Sequence, residues 1–203
     1  MSMADLTFIP PMLPTLVSEP PEGTDWIHEI KYDGWRTQIV VENSQARVFT
    51  RNGHDWTQQF APVAAAALRL GHDGLILDGE MIVTGPDGKP DYQALRRLVK
   101  TTPAAMRFVA FDILNLDGHD LRGMPLNERR HLLEPIRFSE SYHGTGADFF
   151  AAAEGMGLEG MVSKRADGTY ISGRTRAWLK TKSYSEATYD IIGVQREPGQ
   201  PAM

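Results

Sequence analysis

Turn-forming residues set the grain of this chain. Asp33-Gly34, Asn43-Ser44, Asn52-Gly53 and the run Gly85-Pro86-Asp87-Gly88 cut its first half into short apolar segments. Trp26 to Lys31 alternates, with Trp26, His28 and Ile30 on one side and Ile27, Glu29 and Lys31 on the other, which predicts a half-buried strand. Thr37 to Glu42 reads as its return strand and Ala46 to Thr50 as a third, so the opening is expected to be an antiparallel meander. Leu75 to Thr84, Arg107 to Leu114, Gly160 to Lys164, Ala177 to Lys182 and Tyr189 to Val194 read as further strands. Arg107 to Leu114 is the best candidate for a buried one. Helices are predicted over Gln58 to Leu70, Tyr92 to Lys100 behind an Asp91 cap, Asn127 to Leu133, and Asp148 to Glu154. Strands arrive in hairpin groups with helices between them. Strict β-α-β alternation is missing, which points to an α+β fold with antiparallel sheets rather than a doubly wound one. Residues 5–24 read as an extended, Pro-punctuated lead-in packed across a surface.

Composition narrows the class. The 203 residues are 41% hydrophobic and 23% charged, enough for one large domain or two intimate lobes with a real core. The absence of cysteine excludes disulfides, thiolate metal sites and cysteine nucleophiles. Met1 to Pro21 has five prolines and no Lys or Arg, unlike a signal peptide, and no apolar run reaches membrane-spanning length. A cytoplasmic location, with no membrane partner, is the default expectation. The formal net charge of -5 argues weakly against a nucleic-acid partner. Its distribution says more: Lys164, Arg165, Arg174, Arg176, Lys180 and Lys182 face only Asp167 within the stretch 164–182. A solvated face and an anion-binding face both fit such a cluster.

The residues with chemistry begin at Lys31-Tyr32-Asp33-Gly34-Trp35-Arg36. A lysine amine becomes a nucleophile once it loses its proton, and a free lysine with a pKa of about 10.4 does not do so at neutral pH. Nearby cations lower that pKa, and Arg36, Lys180 and Lys182 are the available ones. The alternative is a surface lysine beside a turn. Four fixed residues in six recur by chance on the order of once in a thousand in such a chain. Arg51, in Thr50-Arg51-Asn52-Gly53, is either incidental to a hairpin turn or a phosphate ligand held at a rigid corner. Glu80, in Leu77-Asp78-Gly79-Glu80, suits a ribose hydroxyl or a metal, or is an ordinary strand-end acid. Phe111, in the strand Phe108 to Leu114, is either core or a platform for a purine. Glu159 to Lys164 combines an acid suited to Mg²⁺ with a lysine. In Trp178-Leu179-Lys180-Thr181-Lys182, period-two spacing puts both lysines on one strand face, where they can clamp one phosphate.

In this order, from Pro11 to about Val194, the set resembles the covalent nucleotidyltransferase superfamily: ATP-dependent DNA ligases, RNA ligases and mRNA capping enzymes. Residues 25–36 (DWIHEIKYDGWR), 50–57 (TRNGHDWT), 117–126 (DGHDLRGMPL) and 159–165 (EGMVSKR) are similar to the ligase module of bacterial ligase D, a multidomain ligase of non-homologous end joining. The resemblance implies two antiparallel-sheet subdomains flanked by helices. It implies that Lys31 attacks ATP to form lysyl-AMP and that Arg36 contacts the nucleotide. Glu80 would contact the ribose, and Phe111 would stack on adenine. Glu29 and Ile30 would line the base pocket largely through backbone, and Lys180 and Lys182 would hold the α-phosphate. Glu159 would bind Mg²⁺ or Mn²⁺, and Arg51 the 5′-phosphate of nicked or broken double-stranded DNA, with a Ku-type end-binding protein and other end-joining domains as further partners. The location implied is the bacterial cytoplasm, in association with the nucleoid. The expected organisation is a lead-in over 1–24, an adenylation domain over 25–183, and, over 184–203, a linker with the start of an OB-fold domain. Such a fragment is expected to be poor at overall ligation. Two rivals remain: a nucleotide- or DNA-binding module with little turnover, and an RNA ligase or capping-type enzyme.

Overall fold

A computed structural model describes residues 6–133, 139–142 and 144–184. In chain order the elements are β1 (Met12–Leu16), β2 (Trp26–Ile30), β3 (Trp35–Glu42), β4 (Gln45–Thr50), α1 (Ala61–Leu68), β5 (Leu75–Ile82), α2 (Tyr92–Leu98), β6 (Arg107–Leu116), β7 (His119–Asp120), α3 (Leu126–His131), β8 (Ser141–Tyr142), α4 (Gly146–Gly155), β9 (Gly160–Arg165) and β10 (Gly173–Lys182). They build two five-stranded sheets, ordered β1-β10-β9-β2-β8 and β4-β3-β5-β6-β7. The α+β expectation holds, and each predicted strand and helix within the described residues forms with shifted ends. The strand expected over Tyr189 to Val194 lies outside those residues. No described helix is long and apolar enough to cross a membrane.

The expected opening meander does not form. β3 and β4 pair antiparallel, but β2 pairs with β9 and β8 in the other sheet. The Lys31–Gly34 link is therefore a crossover between sheets, not a hairpin. Gly34 is needed there for close approach rather than for a turn. A Cβ on it would lie 2.3 Å from the Met81 carbonyl oxygen, a backbone contact that cannot yield. β2 is also buried on both faces, since Ile27, His28 and Glu29 are all inaccessible. Its alternation marks two different buried surroundings rather than core against water. The lead-in contributes a strand of its own: β1 runs parallel to β10, with Met12 opposite Gly173 and Leu16 opposite Lys180.

Two cores explain the layering. Ile39, Val41, Leu75, Leu77 and Ile113 face α1 and α2 with Phe60 and Leu95. Val40, Ile76, Phe111 and Leu114 face the other way and meet Met12, Tyr170 and Trp178 of the first sheet's side. Successive side chains of β3 thus go to opposite cores, as the pleat requires. On β6 the alternation breaks: Ala110 and Ile113 share one core, Phe111 and Leu114 the other. The register accounts for it, because Gly79 pairs with Ala110 and Asp78 with Asp112, leaving Phe111 as an extra residue. This bulge aims Phe111 into the space between the sheets.

Candidate active site

The inter-sheet space opens into a cavity of about 170 Å³. Glu29, Ile30, Lys31, Arg36, Arg51, Glu80, Phe111 and Lys180 all line it. Eight of the ten residues singled out in the sequence therefore converge from β2, β3, β5, β6, β10 and the β4 turn. The remaining two, Glu159 and Lys182, meet Lys31 at its mouth. There an outer cleft of about 890 Å³ begins, lined by Lys31, Asp33 and Glu159.

Lys31 follows the last residue of β2 and is anchored by its backbone N–H, which donates to the Gly160 carbonyl at 3.0 Å. Its ammonium donates to Glu159, and the Lys182 ammonium lies 3.1 Å from the other oxygen of the same carboxylate. Strand register makes this meeting possible: β10 pairs antiparallel with β9, setting Lys182 opposite Gly160. Gly160 has φ of 133°, and a Cβ there would lie 2.1 Å from the Thr181 carbonyl oxygen, so only glycine lets Glu159 turn in at this point. Burial, reinforced by the charges of Lys31, Lys182 and Arg174, holds the Lys180 amine below its ordinary range. Burial and the neighbouring Glu159 charge push the Asp33 carboxyl up. Three lysines and two carboxylates thus crowd the junction of the two cavities.

Deeper in, Arg36 makes a bidentate pair with Asp78: Nε to Oδ1 at 2.6 Å and Nη2 to Oδ2 at 2.7 Å. Its guanidinium carbon lies 4.4 Å from the centre of the Phe111 ring. Burial alone would lower the Arg36 pKa, but the charge of Asp78 and its hydrogen bonds outweigh that and raise it. Glu80 is half-buried and makes no such pair among the described residues. Burial pushes its carboxyl up to about 8, against the pull of Arg36 and Lys31. The neighbouring Gly79 cannot carry a side chain, since a Cβ would meet the Phe108 ring at 2.4 Å and the Val109 carbonyl oxygen at 2.5 Å. Arg51 stands exposed on the rim, in a turn closed by the Gly53 N–H donating to the Thr50 carbonyl.

Glu29 was expected to act largely through its backbone. Its side chain is in fact buried, with Oε1 held by Arg130 at 2.6 Å and by Lys164 at 2.7 Å. Lys164 is the main residue left out of the sequence-based set. It is fully buried, donates to the Phe111 carbonyl at 3.2 Å, and places its amine 4.5 Å and 4.4 Å from the Phe111 and Trp178 ring centres. Its signal was present in the stretch Glu159 to Lys164, as that of Trp178 was beside Lys180. The arrangement offers an anion clamp, a nucleophilic amine and an aromatic wall in one cleft. Among the described residues no group of three or more His, Asp or Glu is placed to hold a metal. A site using Glu159 would instead rely on phosphate oxygens and water, which is how Mg²⁺ commonly binds.

Comparison with known proteins bears on this geometry. Residues 11–182 match the family described as ATP dependent DNA ligase domain. The multifunctional non-homologous end joining protein LigD of Pseudomonas aeruginosa is 36% identical over 202 residues, covering 95% of this chain and 24% of LigD. The SPbeta prophage-derived DNA ligase-like protein LigB of Bacillus subtilis is 30% identical, covering 94% of this chain and 73% of LigB. Among solved structures, mycobacterial DNA ligase D complexed with ATP and MES superposes with a TM-score of 0.79 at 32% identity, over 86% of this chain and 60% of the other. The chain thus spans about a quarter of the length of the LigD relative, and most of LigB.

Proposed function

The chain belongs to the ATP-dependent DNA ligase domain family, and we propose that it is the unit in which Lys31 takes AMP from ATP for transfer to DNA. The observation that carries this reading is the meeting of Lys31, Glu159 and Lys182 at the mouth of a cavity lined by Arg36, Glu80, Phe111 and Lys180. The purine lies in the inner cavity against Phe111 and shares that ring with Arg36. Ile30 and Glu29 close the base end. Glu80, a carboxyl that keeps its proton to unusually high pH, meets the ribose hydroxyls. The triphosphate extends past Lys31 into the outer cleft.

The Lys31 amine then attacks the α-phosphorus, a P–N bond forms, and the P–O bond to pyrophosphate breaks. Lys180 and Lys182 stabilise the charge on the α-phosphate oxygens from fixed positions, where preorganised donors are worth most. Glu159 would hold Mg²⁺ or Mn²⁺ together with phosphate oxygens; when bound, the metal would neutralise phosphate charge and favour the unprotonated amine. Arg51, exposed beside the same cavity, receives the 5′-phosphate of a DNA break, onto which AMP passes before a 3′-hydroxyl displaces it. Nicked or broken duplex DNA is therefore the macromolecular substrate. The likeness to LigD, a non-homologous end joining protein, supports membership of an end-joining assembly, with a Ku-type end-binding protein as the proposed further partner.

The test is covalent labelling. Incubated with α-labelled ATP and Mg²⁺ or Mn²⁺, the protein acquires an acid-labile adduct of one AMP, and Lys31→Ala acquires none. A wild-type protein that stays unlabelled at every metal concentration overturns the reading in favour of a binding module. Labelling by GTP in preference to ATP would instead indicate a capping-type enzyme.

A further inference from the structure

Tyr170 lies outside every motif recognised in the sequence, between β9 and β10, yet it is buried against the nucleotide cavity's wall. Its hydroxyl donates to Asp78 Oδ2 at 2.5 Å and accepts the Met12 backbone N–H at 3.0 Å. Asp78 in turn grips Arg36 through both carboxylate oxygens. Arg36 Nη2 also donates to the Met12 carbonyl at 3.2 Å. The four groups close a hydrogen-bonded circuit: Tyr170, Asp78, Arg36, Met12 and back to Tyr170. Met12 belongs to the first sheet, and Arg36 and Asp78 belong to the second. The circuit therefore spans the cleft and fixes the guanidinium over Phe111, with the Tyr170 ring edge-on to Trp178 at 6.0 Å.

We propose that Tyr170 is a positioning residue for nucleotide binding: through Asp78 it holds Arg36 in the orientation that meets ATP, and it ties the lead-in strand to that site. This rests on the reading that Arg36 contacts the nucleotide. Among the described residues, Tyr170 is the hydrogen-bond donor that holds Asp78 in addition to Arg36's bidentate grip. Of the two carboxylate oxygens, Oδ2 takes both the guanidinium and the hydroxyl. Without the hydroxyl, the Met12 N–H and one acceptor site on Asp78 lose a buried partner, and the Asp78–Arg36 pair is free to rotate. Burial, followed by the Asp78 charge, holds the Tyr170 hydroxyl above its ordinary range, so it remains a donor throughout the working pH range.

The experiment is a double-mutant cycle on ATP affinity, measured by equilibrium titration of the purified full chain without need of turnover. Tyr170→Phe is expected to weaken ATP binding about tenfold, the worth of one hydrogen bond to a charged group. In an Arg36→Ala background the same change should have little further effect. A purely structural tyrosine would lower the melting temperature in both backgrounds and leave affinity unchanged, and that result overturns the proposal. So do losses from Tyr170→Phe and Arg36→Ala that simply multiply. If Tyr170→Phe does not fold, Asp78→Asn keeps the shape while weakening the grip on Arg36, and unchanged ATP affinity in that variant is equally fatal. A wild-type chain that binds no ATP sinks the proposed function itself, and this inference with it. A wild type that binds while Tyr170→Phe binds equally well sinks only the inference.

Discussion

The two sheets that face each other across the cleft are built on different physical terms. The second sheet, β4-β3-β5-β6-β7, backs onto α1 and α2 through an aliphatic core, and two of its carboxylates are held in buried ion pairs: Asp78 by Arg36, and Asp112 by Arg129 of α3. The first sheet, β1-β10-β9-β2-β8, brings like charges together. Lys31 and Lys182 share one carboxylate, with Lys180 close by. Paired charge holds a shape. Crowded, incompletely neutralised cations hold a place for an anion. On the proposed reading, the ribose falls to the second sheet and phosphate chemistry to the first, while the base is shared between Phe111 of the second and Glu29 and Ile30 of the first.

The sharpest way to break this contrast is on the first sheet. Replacing either Lys180 or Lys182 by Ala should cut the rate of AMP labelling by about 10²-fold or more, as loss of one preorganised donor does elsewhere, with little change in unfolding midpoint. Rapid labelling in both single variants would show that β10 does not face the α-phosphate. The matching change on the second sheet's side is Arg129→Met, in α3, which unpairs Asp112 of β6. Arg129 and Asp112 are both fully buried, and Arg129 also donates to the Gly168 carbonyl at 3.1 Å. Removing it strands a carboxylate in the core, at a cost of about 3–5 kcal/mol in urea unfolding. At a temperature where the variant remains folded, AMP labelling per molecule should stay near wild type. An equal loss of labelling would mean that the two sheets do not divide the work.

How much of this was legible in the sequence follows the same divide. Period-two spacing placed Lys180 and Lys182 on one face of β10, because strand geometry is local. Asp91 capping α2 was legible for the same reason, its carboxylate accepting the Ala94 N–H at 2.8 Å. The sheet assignment of β2 and β3 was not legible. Asp33-Gly34 carries the composition of a hairpin turn, but Gly34 serves a close approach to Met81, a fact decided by residues nearly fifty positions later. The bulge at Phe111 was equally hidden, since it arises from the register against Gly79. Tyr170 and the side-chain role of Glu29 depend on partners about a hundred residues away, for which local periodicity offers no clue.

A smaller effect is expected at the rim, where Arg51, in the turn that follows β4 of the second sheet, is the proposed ligand of a DNA phosphate. Arg51→Ala should leave lysine adenylation intact and weaken binding to 5′-phosphorylated nicked DNA by about tenfold, the scale of one charge-assisted contact. Titration of labelled nicks checks it, with unphosphorylated nicks as control. A loss confined to adenylation would move Arg51 onto ATP and blur the division between the sheets.

The mildest probe concerns Glu80, an acid of the second sheet that has no ion-pair partner among the described residues. Burial raises its carboxyl from 4.5 to about 8. Between those values the folded chain holds a proton that the unfolded chain has lost, so the folded state binds more protons there. Its contribution to stability is complete below pH 4.5, declines as pH rises, and levels off above about pH 8. The slope is at most about 1.4 kcal/mol per pH unit. Glutamine keeps the shape and cannot titrate. Glu80→Gln should therefore gain stability relative to wild type as pH is raised from 5 to 9 in parallel urea titrations. Asp33 and Asp112, also raised by burial, are present in both proteins and cancel in the subtraction. Two parallel pH profiles would mean that Glu80 ionises like a solvated acid. The second sheet would then present a charged carboxylate to the cleft, and its contrast with the first sheet would narrow to the pairs that Arg36 and Arg129 make.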